Sequence, residues 1–229
     1  MVLLKRRIIR TTISVLLRLV ANIRVEGWDK LKAVKGRAIV ASNHLGRLDA
    51  GLALMLMNRD DVILVVAEKY RDYPFFRWMV KQLDLLWLER FEVDLGTLKE
   101  VLRRLAKGGI LMIAPEGTRS TTEALLEGKP GVAYIAAKSG APVIPAAVFG
   151  SEDRAVRASF KRLRRPKITI RVGEPFIVPT LPKQARDVFL RKQTEEIMAQ
   201  IAALLPSAYH GVYAEHPRVV ELLSSKGLL

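Results

Sequence analysis

Cysteine is absent from the 229 residues, and histidine occurs only three times. Without thiols the chain has no disulfide, no thiolate metal site and no cysteine nucleophile, which fits a reducing compartment. No G-x-S-x-G turn is present to expose a nucleophilic serine. His210 and His216 sit together near the C-terminus and read as surface or packing residues, so metal catalysis is poorly supported. No stretch reaches the roughly 20 apolar residues of a membrane-spanning helix, and no small-residue cleavage site follows the N-terminal apolar run. Acidic residues are also scarce: 23 against 38 Lys and Arg, for a net charge of +15. A field of that sign attracts polyanions such as nucleic acid, anionic headgroups or phosphate-rich carriers.

Half of the residues are hydrophobic, enough to bury a sizeable core in one α/β domain. Apolar runs at 37–43, 62–68, 84–90, 110–116, 143–150 and 167–173 read as strands. Helical patterns at 49–57, about 94–107, 131–139 and from Pro182 to before Pro206 fall among them. Apolar strands separated by helices predict a mainly parallel central sheet flanked by helices. Ahead of it, Ile9, Ile13, Leu16, Val20 and Ile23 share one helical face, with Arg7, Thr11, Ser14 and Arg18 opposite. Residues 1–30 therefore read as an N-terminal amphipathic helical element suited to a membrane interface, equally compatible with packing on the domain, and residues 31–229 as the α/β domain.

Three polar stretches leave strands where open α/β sheets place their sites. In NHLGRLD, His44 is suited to proton transfer near neutral pH, and Asp49 is placed to hold its other ring nitrogen. Gly46 lets the loop turn sharply. Alone, the same residues are read first as a capped helix and an incidental histidine, because one His and one Asp at some spacing are common. In APEGTRS, Gly117 permits close backbone approach, and Thr118, Arg119 and Ser120 supply phosphate donors. Glu116, an acceptor when ionised, suits a hydroxyl or a cation. The third stretch ends in Glu89 and Arg90.

A His followed five positions later by Asp, with PEGTRS about seventy residues on, resembles the glycerophospholipid acyltransferase superfamily. Within it the resemblance is to the lysophosphatidic acid acyltransferases. LLWLERF resembles the family's intermediate motif and VIPAAVFG its fourth, in which Pro145 shapes the pocket floor. The resemblance spans about Gly36 to Gly150. It implies His44 as general base, Asp49 as its orienting partner, and Arg90, Glu116, Gly117, Thr118 and Arg119 as substrate-binding residues, with Lys69 and Lys129 as further candidates. It also implies a membrane-surface enzyme, peripheral or monotopic on the cytoplasmic face. That enzyme moves an acyl group from acyl-CoA or acyl carrier protein to lysophosphatidic acid, without a cofactor. Three positions depart from the pattern: Gly46 where serine is frequent, Arg47 where an apolar or aromatic residue is common, and Asp84 where glycine often precedes the strand.

Three other readings compete. Seven of the fourteen residues from Arg154 to Lys167 are Lys or Arg, an electrostatic footprint for nucleic acid. No recognition motif accompanies them, so an anionic membrane surface or acidic carrier is the expected partner and nucleic acid is not. A thioesterase would use the same His44 and Asp49 with water as acceptor. Transfer to another lysolipid, such as lyso-ornithine lipid, keeps the chemistry and changes the acceptor.

Overall fold

The computed structural model of the chain describes residues 2–56, 59–89, 94–225 and 227. Among them, seven strands form one sheet: β1 (Asn22–Glu26), β2 (Ala38–Ser42), β3 (Val62–Ala67), β4 (Leu86–Leu88), β5 (Ile110–Ile113), β6 (Val143–Phe149) and β7 (Lys167–Val172). Their order is β1-β7-β6-β2-β5-β3-β4, and every neighbouring pair is parallel except β6 with β7. The apolar runs become buried strands because both faces are covered. Successive β2 residues alternate between two cores, Ile39 and Ala41 facing one and Ala38 and Val40 the other.

The first core is closed by α5 (Leu95–Ala106), α6 (Gly131–Ser139) and α8 (Arg186–Ala202), through residues such as Leu105, Ala133 and Ile197. Asp94 caps α5 by accepting the Thr97 N–H at 2.8 Å, and Gly140 in the left-handed region ends α6. The opposite core is closed by α1 (Val2–Val20), α2 (Trp28–Lys32) and α3 (Asp49–Leu56), through Leu17, Leu31 and Leu52. Beside them lies α4 (Pro74–Leu83), with α7 (Asp153–Lys161) and α9 (Pro217–Ser225) further along the chain.

The N-terminal segment departs from its expected form. The helix ends at Val20, and Asn22 donates its backbone N–H to Pro166 as the chain turns into edge strand β1. Ile23, expected on the helix's apolar face, is a strand residue paired with Ile168. The apolar residues also divide differently from the expected single stripe. Ile9 and Ile13 pack on the domain and Leu17 is buried, whereas Leu4, Ile8, Val15, Leu16 and Leu19 are exposed. Residues 2–30 therefore contribute a sheet strand and core contacts to the domain that follows. No helix among the described residues is long and apolar enough to cross a membrane.

Candidate active site

The chain leaves β2 for β3 on one side, and leaves β5 through α6 for β6 on the other. The crevice at the carboxyl ends of β2 and β5 is thus the switch point of the sheet, where open α/β folds bind ligands. Ala41 pairs with Ile113, so His44 and Glu116 each stand three residues beyond that paired level.

His44 Nδ1 lies 2.8 Å from Asp49 Oδ2, and the same oxygen accepts the backbone N–H groups of Leu45 at 2.7 Å and Gly46 at 2.9 Å. A carboxylate accepts only, so the imidazole proton belongs on Nδ1 and Nε2 carries the lone pair of a base. Asp49 is the first residue of α3, where the helix N-terminus also favours negative charge. The histidine side chain keeps 31% exposure, against 10% for the aspartate. The imidazole is thus open to solvent while the carboxylate that contacts it stays screened.

Two buried side chains hold this loop from behind. Asn43, which the sequence did not single out, exchanges both of its amide hydrogen bonds with the Val148 backbone, donating at 2.8 Å and accepting at 2.7 Å. That pins the end of β2 to β6. Glu116 is 1% exposed; Oε1 accepts the His44 N–H and Oε2 the Leu126 N–H, both at 3.0 Å. Burial pushes its pKa up to about 6, opposed by the two backbone N–H groups. Glu116 was expected to meet substrate; each of its oxygens accepts one backbone N–H, and through Oε1 it holds the His44 backbone.

The PEGTRS loop brings other expected residues together. Gly117 adopts φ +66°, and a Cβ there would lie 3.0 Å from Lys129 Cδ, so the lysine stem lies across the glycine. The Lys129 N–H donates to Pro115 at 2.8 Å, and the Ser120 N–H donates to the His44 carbonyl at 2.8 Å. Thr118 is half-buried on the same loop. Arg119 Nη1 is 3.7 Å from Asp153 Oδ2, beyond hydrogen-bond length, so its donors are not taken up by that carboxylate. Asp153 also draws in Arg47, through the backbone N–H at 3.0 Å and the guanidinium at 3.5 Å.

Gly46 owes its identity to a close approach: a Cβ there would fall 1.8 Å from the Ser151 carbonyl oxygen. The segment that follows β6 therefore crosses the histidine loop where a serine would not fit. Lys69 is not part of this group; it follows β3, two strands from β2, with Nζ 5.2 Å from the centre of the Tyr70 ring. Arg90 lies outside the described residues. A cavity of about 550 Å³ borders the histidine loop, running from Leu45, Arg119 and Ser120 along α7 to Arg157 and Lys161. A second, of about 580 Å³, opens past β3 and β4 among Glu68, Arg71, Trp87 and Thr97.

Fold and site together put a histidine–carboxylate pair at the switch point of a mainly parallel α/β sheet. The chain belongs to the acyltransferase family, whose model matches residues 22–149, from β1 to the end of β6. It is 31% identical over 142 residues to a 1-acyl-sn-glycerol-3-phosphate acyltransferase of Cocos nucifera, covering 61% of this chain and 46% of that protein. It is 26% identical over 138 residues to the chloroplastic 1-acyl-sn-glycerol-3-phosphate acyltransferase LPAT1 of Arabidopsis thaliana, covering 57% and 36%. The chain thus spans less than half the length of these relatives. Its fold is similar to that of the 1-acyl-sn-glycerophosphate (LPA) acyltransferase PlsC from Thermotoga maritima, with a TM-score of 0.62, 24% identity and coverage of 84% of this chain and 77% of that one.

Proposed function

We propose that the chain transfers a fatty acyl group from a thioester, acyl-CoA or acyl carrier protein, to the free hydroxyl of lysophosphatidic acid, forming phosphatidic acid. The observation that carries this reading is the His44–Asp49 contact beside a loop that offers Arg119, Gly117 and Lys129. His44 Nε2 takes the hydroxyl proton as that oxygen attacks the thioester carbonyl. The tetrahedral intermediate then collapses, the C–S bond breaks, and the thiolate leaves and is protonated. Asp49 stabilises the imidazolium that forms in between. Arg119 and Lys129 supply the cationic donors for the acceptor's phosphate, and Arg90 is proposed as a third. The charge on these donors favours a phosphorylated acceptor over water, and so a transferase over a thioesterase. Direct transfer needs no cofactor.

The same reading places the chain on a membrane surface, as an amphiphilic acceptor requires. The exposed apolar side chains of α1, with Lys5, Arg7 and Arg18 on the same helix, suit a headgroup region. The test is product analysis: labelled acyl-CoA and lysophosphatidic acid with the purified chain should yield labelled phosphatidic acid. Label appearing only as free fatty acid would assign a thioesterase instead.

A further inference from the structure

The turn between α7 and β7 presents a residue that neither backbone nor core explains. α7 ends in a Schellman motif, with the Arg164 N–H donating to the Ser159 carbonyl and the Leu163 N–H to that of Phe160, both at 2.9 Å. The left-handed position of this motif ordinarily holds glycine, but here it holds Leu163 at φ +52°. Leu163 is 97% exposed, and Phe160 one turn earlier is 46% exposed. The other four residues of 161–165 are Lys161, Arg162, Arg164 and Arg165, all exposed. A strained, fully exposed leucine ringed by cations gains nothing in water.

The turn is joined to α1. Arg165 Nη2 donates to the carbonyls of Arg18 and Ala21, holding the turn against the C-terminal end of that helix. Leu16 and Leu19, more than half exposed, lie in the adjoining last turns of the helix. The turn also stands on the active edge of the sheet: β7 begins at Lys167 beside the end of β6, where Phe149 pairs with Thr169. Finally, α7 lines the cavity that starts at Leu45 and reaches Lys161, two residues before Leu163.

We infer that the α7–β7 turn is a second lipid-contacting element, which inserts Leu163 and Phe160 below the headgroups of an anionic bilayer while Arg162 and Arg164 bind lipid phosphates. It is independent of the apolar side chains of α1 and opens the Leu45–Lys161 cavity toward the bilayer. An amphiphile can then place its phosphate in the cavity while its chain stays in lipid. The orientation toward the cavity rests on the proposed reaction; binding to lipid does not.

Co-sedimentation of the full chain with phosphatidylcholine/phosphatidylglycerol vesicles tests this without turnover. Leu163→Asp should weaken vesicle binding about tenfold or more, from one lost apolar insertion. Leu163→Gly should weaken it similarly while keeping or raising the melting temperature, because glycine accepts the left-handed backbone. Val188→Asp, at a residue 58% exposed on α8, should leave binding unchanged. Arg162→Glu with Arg164→Glu should remove most of the preference for phosphatidylglycerol over pure phosphatidylcholine. Wild-type vesicle affinity in both Leu163 variants would overturn the inference. So would loss of binding to an acidic carrier protein with vesicle binding intact, which would assign the turn to a protein partner. Absence of phosphatidic acid formation with vesicle binding lost as predicted would count against the proposed reaction alone.

Discussion

The backbone N–H of His44 donates to Glu116 Oε1 at 3.0 Å, so the histidine loop is held by a carboxylate 72 residues further along the chain. The other carboxylate oxygen holds the Leu126 N–H, which ties the PEGTRS loop to the segment after it. Glutamine has one acceptor oxygen, so whichever way its amide turns, one of these N–H groups meets an NH₂ instead. Glu116→Gln should therefore lower kcat on the order of 10–100-fold through misplacement of His44, leaving KM for the acceptor nearly unchanged. A large rise in acceptor KM with kcat preserved would return Glu116 to direct substrate binding.

The same carboxyl sets a pH dependence of stability. Burial raises its pKa from 4.5 to about 6 in the folded chain. A carboxyl raised on folding favours the fold while protonated, so its contribution is complete below 4.5 and lost as pH rises through about 6. The shift corresponds to roughly 2 kcal/mol. Urea unfolding across this interval should show wild type losing about that much relative to Glu116→Gln. Parallel pH profiles for the two proteins would show that Glu116 does not titrate in this range.

At Gly46 the crossing Ser151 backbone leaves no room for a side chain. A Cβ at 1.8 Å from a carbonyl oxygen requires one of two backbone segments to move. Gly46→Ser should reduce stability by about 1–3 kcal/mol, read as melting temperature, and displace the His44 loop enough to lower turnover. Unchanged stability and activity would mean that the 150–153 segment yields readily.

Vesicle binding through α1 calls for point substitutions, because removing the first 24 residues would also delete Leu17 from the core and most of β1 from the sheet. Leu16→Asp with Leu19→Asp changes only exposed positions. The pair should reduce vesicle binding by at least about tenfold with little loss of thermal stability. Binding that persists would show that α1 is a packing helix whose outer face has no lipid role.

Much of this arrangement was legible in the sequence because buried parallel strands announce themselves as apolar runs: β2, β3, β5, β6 and β7 all fall inside the expected stretches. The spacing of His44 and Asp49 only allowed their contact, and it was the family resemblance that paired them. Other features depend on distant partners. β1 continues the apolar period of α1 and becomes a strand only through β7, 145 residues away. The basic run was expected as a surface patch, but its first part is α7, whose Arg154, Arg157 and Lys161 line a cavity. Glu116 reads from sequence as an acceptor for a hydroxyl or a cation, and only the fold brings the His44 and Leu126 N–H groups onto it. Lys69, a candidate only through the family resemblance, lies beside Tyr70 after β3, which β5 separates from β2.

The most direct test of the central claim is thiol release from a long-chain acyl-CoA, with and without lysophosphatidic acid, in wild type and His44→Ala. Release that requires the acceptor, yields phosphatidic acid and falls on the order of 10²–10⁴-fold in His44→Ala is the predicted result. Release that ignores the acceptor, or survives intact in His44→Ala, would contradict a transferase built on this histidine.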